Sequence, residues 1–246
     1  MEPAFENIQA KGATLPEQAA EQISKLIVAQ HLTCEDKLPS EFELAEMLGV
    51  GRGTVREGVK LLVARNVLEI RRGKGTYIAP NPGEIPDPLG FVYYPDQFRL
   101  ALDLAEIRLQ MEPWVARMAA ERATAEDLKN LREACGVVEQ DILAERDHSR
   151  NDVLFHVAIA ECTHNLVVPK LIPIITYAIT LFVSLTESRL KAQTLVDHRE
   201  ILDAVCGRDG ERAAKMMERH IQYNKTMLEG LVLELKQENN IVLNKS

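Results

Sequence analysis

The stretch Leu38–Ala79, LPSEFELAEMLGVGRGTVREGVKLLVARNVLEIRRGKGTYIA, decides how the chain is read. Ser40 followed three residues later by Glu43 is a capping-box pattern, and it opens a short helix carrying Leu44, Ala45 and Leu48. Gly49-Val50-Gly51 ends that helix. A second begins near Arg52 and holds Val55, Val59 and Leu62 on one face, with Arg52, Arg56 and Lys60 every four residues on another. Apolar residues that dock a helix, with cations and the Thr54 hydroxyl toward its leading half, suit a helix lying in a DNA groove. Val67–Arg71 and Thr76–Ala79 read as two strands closed by Arg72-Gly73-Lys74-Gly75. The glycines permit the reversal, and the two cations suit a wing resting on a phosphate backbone. The plainer alternative is a helical hairpin with a solvated face. The ordered series of cap, helix, glycine turn, basic helix and basic ribbon argues against it.

The same stretch closely resembles the winged helix-turn-helix of the GntR family of bacterial transcription regulators. The resemblance rests on Leu38-Pro39-Ser40-Glu41, Leu44-Ala45, Val50, Arg52, Thr54-Val55-Arg56-Glu57 and Gly73-Lys74-Gly75-Thr76. It implies that Glu41, Arg52, Thr54, Arg56, Lys60, Arg72 and Lys74 form the DNA-binding surface. Phe42 stands where the family often has arginine. Gly51 replaces the usual Ser or Thr, so it caps without a hydroxyl for phosphate.

A chain of 246 residues has room for two cores. Its net charge of −8 is unevenly spread. Residues 15–80 carry nine Lys/Arg and nine Asp/Glu, whereas residues 81–246 carry nineteen and twenty-six. Phosphate affinity must therefore come from clustering of Arg52, Arg56, Lys60, Arg71, Arg72 and Lys74 rather than from bulk charge. Cys34, Cys135, Cys162 and Cys206 form no C-x-x-C pair and read as reduced thiols. The N-terminus has no apolar signal core, and the apolar run Leu171–Leu185 falls short of the ~20 residues a bilayer requires. A cytoplasmic protein without a membrane partner is expected.

Residues 1–79 read as a lead-in plus the DNA-binding domain, which includes a first helix opened by Thr14-Leu15-Pro16-Glu17 and running to about His31. Residues 80–96 read as a linker, with four prolines and a glycine between Pro80 and Pro88. From 97 to 246 helical periodicity takes over. Helices are expected near 97–122, 125–145, 149–162, 166–188, 191–206 and 209–236, with Pro113, Pro169 and Pro173 as points of bending or breakage. The fold class is mainly α, a winged helix-turn-helix followed by an antiparallel helical bundle.

Within that bundle Asp152 and His156 stand at i and i+4, sharing a face with Phe155 and Ile159 that points inward. His198 and His220 lie at matched distances on either side of the Gly207-Arg208-Asp209-Gly210 turn. On antiparallel helices both fall about 15 Å from it, by the rise per residue. Three imidazoles and a carboxylate that converge suit a divalent metal ion, zinc first, with nickel, manganese or iron as alternatives. Surface pairs and satisfied core histidines are the competing reading. His31, His148 and His164 fit no such geometry.

Residues 97–235 also resemble the all-helical FCD-type effector domain of the FadR subfamily, through Glu106-Ile107-Arg108, Glu112, Ala119-Ala120, Asp152, Phe155-His156, Asn165, His198, Ile201-Leu202 and His220. The resemblance implies a metal on Asp152, His156, His198 and His220, with Arg108 and Asn165 at a carboxylate effector. A surface ion pair to Glu112 is the alternative for Arg108, and a helix cap the alternative for Asn165. The function expected is a homodimeric, non-enzymatic repressor-type regulator of a palindromic double-stranded operator, controlled by a small organic or sugar acid. A metal-dependent hydrolase with an accessory nucleic-acid domain is the alternative. Against it, no H-E-x-x-H motif supplies a general base.

Overall fold

A computed structural model describes residues 12–186 and 189–243, with side chains as far as residue 235. The chain forms two compact units, divided between Pro88 and Leu89.

The first unit contains α1 (Leu15–Ala29), α2 (Glu41–Leu48) and α3 (Arg52–Ala64), then β1 (Leu68–Arg71) and β2 (Gly75–Ile78). Both expected capping boxes form, Thr14 with Glu17 and Ser40 with Glu43, so each helix start has its free N–H groups satisfied. Val55, Val59 and Leu62 of α3 are buried with Ile23, Leu26, Leu44, Leu68 and Ile78 in one core. Gly58 lets α1 approach α3 closely, since a Cβ there would meet the Pro16 carbonyl oxygen at 3.0 Å. The strands pair antiparallel as Leu68↔Ile78, Glu69↔Tyr77, Ile70↔Thr76 and Arg71↔Gly75. Each lies within a residue or so of its expected limits.

The backbone at Gly75 calls for glycine. Its φ is +123°, and a Cβ would lie 2.4 Å from Cε of Lys37, the residue bridged to Tyr77. Gly75→Ala is expected to strain the wing by roughly 1–3 kcal/mol. Helical content should be retained while operator affinity falls. Wild-type stability and affinity together would refute this.

The second unit is helical apart from a 3-10 turn at Phe91–Tyr93, which falls inside the expected linker and packs Phe91 against Tyr177. It contains α4 (Gln97–Arg122), α5 (Ala125–Leu143), α6 (Ser149–Glu161), α7 (Val168–Ile175), α8 (Tyr177–Leu185), α9 (Lys191–Cys206) and α10 (Gly210–Leu243). Helix α4 packs along α10 and also meets α6, α8 and α9. Pro113 does not interrupt it. The helix expected over 166–188 is instead two helices. Asn165 Oδ1 accepts from the N–H groups of Val167 and Val168, which delays the start, and Pro169 then sits in the first turn. Pro173 supplies no N–H to the helix, and the break follows at Thr176, whose hydroxyl donates to the Ile172 carbonyl. The end of that expected helix, residues 187–188, lies outside the described residues.

Val168–Leu185 is one residue window of sufficient length and apolarity to cross a membrane by composition, longer than the run Leu171–Leu185 suggests. It spans the break at Thr176, with α7 packed on α6, and α8 on α4 and α6.

Candidate metal centre and nucleic-acid interface

Four helices aim polar side chains into the second unit's interior. Helix α6 carries Asp152 and His156, α9 carries Asp197 and His198, α10 carries His220, and α4 carries Arg108 and Glu112. All seven are at most 4 % exposed. His156, His198 and His220 can each offer a ring nitrogen, and these atoms lie within 4.8 Å of one another. The His198 and His220 ring centroids are 5.0 Å apart, as their equal distances from the α9–α10 turn require. Oδ1 of Asp152 approaches Nε2 of His156 at 3.5 Å and Nε2 of His198 at 3.6 Å.

Buried polar atoms are costly without partners, yet Asp152 Oδ1 and both ring nitrogens of His198 have no hydrogen bond, and Nδ1 of His220 has only a long contact with Asp197. Burial pushes His198 down to about 3 and also lowers His220, so both rings are neutral with lone pairs available. Burial would raise the Asp152 carboxyl, but the adjacent imidazoles of His198 and His156 outweigh it and hold it below the usual range. Burial lowers His156 too, but the Glu112 and Asp152 carboxylates outweigh it and raise that ring, so an ion would have to displace its proton. His198 and His220 already offer the neutral imidazoles that a divalent first-row cation takes. The residues fit the ion.

Supporting contacts surround this cluster. Glu112 accepts from Nδ1 of His156, which leaves Nε2 facing Asp152, and its other oxygen accepts from Nε of Arg108 at 2.5 Å. Burial works against the Glu112 charge, but Arg108 and His156 overcome it and hold the carboxyl at about 2. Asp197 lies 3.5 Å from Nδ1 of His220 and accepts from Arg219 at 2.7 Å. Such outer partners fix the tautomer and orientation of metal-binding rings. The ion pair expected between Arg108 and Glu112 is therefore present, but it is not a surface pair, because both side chains are 2 % exposed. Asn165 has another task, accepting from the first N–H groups of α7, and among the described residues no hydrogen bond joins it to the histidines. Sequence reasoning passed over His148. It is 2 % exposed, its Nδ1 is unpartnered, and it lines a cleft with Asp152. The spacing 148, 152, 156 is a signal that could have found it.

On the first unit, α3 displays Arg52, Thr54, Arg56 and Lys60, and the wing tip displays Arg72 and Lys74. Arg56 donates through Nε and Nη2 to the Glu41 carboxylate on α2, at 3.0 and 2.8 Å to one oxygen. That bond, with the charges of Arg56, Arg52 and Lys60, lowers the Glu41 pKa. Glu41 thus orients the basic face from within it. Lys60 pairs with Glu57 at 2.8 Å. Arg52, Arg72 and Lys74 have no ion-pair partner among the described residues. Arg71 does not join them. It pairs with Glu69, donates to the Cys34 carbonyl, and lies 4.1 Å over the Tyr77 ring.

A winged helix-turn-helix with an exposed basic recognition helix, joined in sequence to a helical domain, defines a DNA-binding transcription regulator. The chain belongs to the GntR family of bacterial regulatory proteins, matched over residues 15–78, with an FCD domain matched over residues 103–223. It is similar to the Uxu operon transcriptional regulator of Escherichia coli, 32 % identical over 222 residues that cover 84 % of this chain and 83 % of that protein. It is also similar to the E. coli galactonate operon transcriptional repressor, 30 % identical over 78 % of this chain and 86 % of that one. The solved structure of Streptococcus agalactiae GntR is 38 % identical, covers 86 % of this chain and 99 % of its own, and superposes with a TM-score of 0.75. These relatives are regulators rather than enzymes, and the hydrolase alternative is set aside.

Proposed function

We propose that this regulator is a cytoplasmic, homodimeric repressor whose hold on a palindromic operator responds to a small hydroxylated carboxylate at a divalent-metal site. The observation that carries the reading is the buried cluster of Asp152, His156, His198 and His220 with its unpartnered donor atoms. Asp152 and the three rings would hold the ion, zinc first by this donor set, with nickel, manganese or iron as alternatives. The ion would supply the positive charge that an acid's carboxylate requires. Arg108 lines a neighbouring cleft with Ala105, Ala178 and Asn224. Its guanidinium has donors beyond the one engaged by Glu112, so it can meet a carboxylate there. Galactonate, the acid in one relative's name, is of this class.

In a homodimer, two recognition helices would enter successive major grooves about one helical turn apart. Arg52, Thr54 and Arg56 would read bases. Glu41 would hold Arg56 in place, and Lys60, Arg72 and Lys74 would bind the backbone. The acid must favour one DNA-binding state, and if it weakens operator affinity, operator must weaken acid affinity by the same factor. Anisotropy titrations of a labelled operator, with an acid panel and with or without chelator, test this. An operator affinity indifferent to every acid and to metal would sink the reading.

On the DNA side, Arg52→Ala and Arg56→Ala are each expected to cost roughly 1–3 kcal/mol of discrimination, with folding and dimerisation intact. Glu41→Ala should act in the same direction by releasing Arg56. Lys74→Ala should weaken binding to all sequences alike and lower the salt slope by about one. Wild-type footprints from the two arginine variants would remove them from the interface.

A further inference from the structure

The fold brings a further cation to the wing from outside the hairpin. Residues 36–38 run antiparallel along the edge of β2 that β1 leaves open. The Leu38 N–H donates to the Thr76 carbonyl at 2.9 Å, and the Ile78 N–H donates to the Asp36 carbonyl at 3.4 Å. Lys37 is bridged to Tyr77, which also pairs with Glu69, so these three side chains stand on one face of the sheet. The Lys37 stem lies against Gly75, where the wing turn ends. A Cβ on Gly75 would meet Cε of Lys37 at 2.4 Å and Nζ at 3.1 Å. The ammonium therefore sits beside the residue that follows Lys74.

The carboxylates around it have other partners. Asp36 accepts from the Thr33 N–H and hydroxyl at 2.7 and 2.8 Å, Glu43 from the Ser40 N–H at 2.8 Å, and Glu69 from Arg71 at 2.5 Å. Bonds to Ser40, and after them the Lys37 charge, hold the Glu43 carboxyl below its usual range, so Lys37 is within electrostatic reach of α2's first turn. Among the described residues neither Glu35 nor any other carboxylate forms an ion pair with Lys37, which is exposed like Arg72 and Lys74. Arg71 is the converse case, its guanidinium held by Glu69, the Tyr77 ring and the Cys34 carbonyl. Residues 15–80 carry nine Lys/Arg against nine Asp/Glu, so three unpaired cations at one hairpin are a local excess suited to a polyanion.

We propose that Lys37 is a third phosphate contact of the wing, joining Arg72 and Lys74 on the backbone of double-stranded DNA. The contact is a point charge on a phosphate, so it adds affinity for every sequence alike and fixes how the wing sits. The bridge to Tyr77 ties Lys37 to the strand that leaves the wing turn, so the three cations are carried on one small sheet. This inference rests on the reading of the wing as a backbone contact and adds a residue that the hairpin sequence does not contain.

A fluorescent DNA duplex of mixed sequence serves as the probe, because phosphate contacts do not read bases. Anisotropy titrations of the full chain over a range of salt give the slope of log affinity against log salt. Lys37→Met is expected to lower that slope by about one, so that the affinity lost between about 50 and 200 mM salt is about 3.5-fold smaller than in wild type. Lys74→Met should do the same, and the double variant should lower the slope by about two. Lys37→Arg keeps the charge and should keep the wild-type slope. Melting temperatures of all four should match wild type, since both side chains are exposed. If Lys37→Met keeps the wild-type slope while Lys74→Met lowers it, the third contact is overturned and the wing reading stands. If neither substitution changes the slope, both fall.

Discussion

His198→Ala and His220→Ala are each expected to strip the helical domain of its divalent ion and to lower its melting temperature substantially. Protein purified without chelator should carry about one ion per chain, since three imidazole nitrogens lie within 4.8 Å of one another and the Asp152 carboxylate approaches two of those rings. An ion held at about a thousand times its dissociation constant contributes about 4 kcal/mol. For a chain of this size that corresponds to roughly 8–16 °C. The apo domain should still fold, because Val115, Leu131, Phe155, Ile159 and Ile201 form a core beside the site. His198→Ala also removes the ring stacked on Phe155 at 4.3 Å, so its own melting temperature is ambiguous. The informative quantity is the response to chelator. Wild type should lose stability on chelation, and the variants should lose little. A wild type that takes up no ion from any metal supplied, and is indifferent to chelator, would defeat the assignment.

What was legible in the sequence follows from the range of each interaction. Helix starts are local, so Ser40 with Glu43 and Thr14 with Glu17 marked theirs correctly. The pairing of His198 with His220 was legible because a short turn converts equal sequence distances into equal heights. The break at Thr176 was harder to place. The two prolines limit the helix, but where it resumes depends on packing against α4 and α6. Burial of Arg108 was not legible either. An i,i+4 Arg–Glu pair looks the same on a surface as under one, and only the packing of α10, α9 and α6 around α4 decides it. The wing shows the same limit, since Arg71 counts as a cation in sequence but lies folded over Tyr77.

Arg108→Ala should therefore be far more damaging than the loss of a surface ion pair, for which about 0–1 kcal/mol would be expected. Glu112 stays in place at 2 % exposure, its carboxylate held ionised at about 2 by Arg108 and His156 against the penalty of burial. Removing the guanidinium leaves that charge with only the His156 ring as partner, and breaking a buried pair typically costs roughly 3–5 kcal/mol. In thermal terms this is roughly 6–20 °C. The damage should also reach the metal cluster, because Glu112 sets the tautomer and orientation of His156 through Nδ1. Loss of such a partner usually weakens metal binding about 10–100-fold. Replacing both partners by apolar residues, Arg108→Met with Glu112→Leu, separates the two effects. Stability should largely return, since no charge is stranded, while metal affinity stays low because His156 has lost its acceptor. Arg108→Lys is then the cleaner probe of a carboxylate effector, as it keeps a cation near Glu112 but loses the planar fork. Denaturant unfolding and metal titration on these variants read both quantities. A cost under about 1 kcal/mol for Arg108→Ala, with unchanged metal affinity, would mean that Glu112 is satisfied without Arg108.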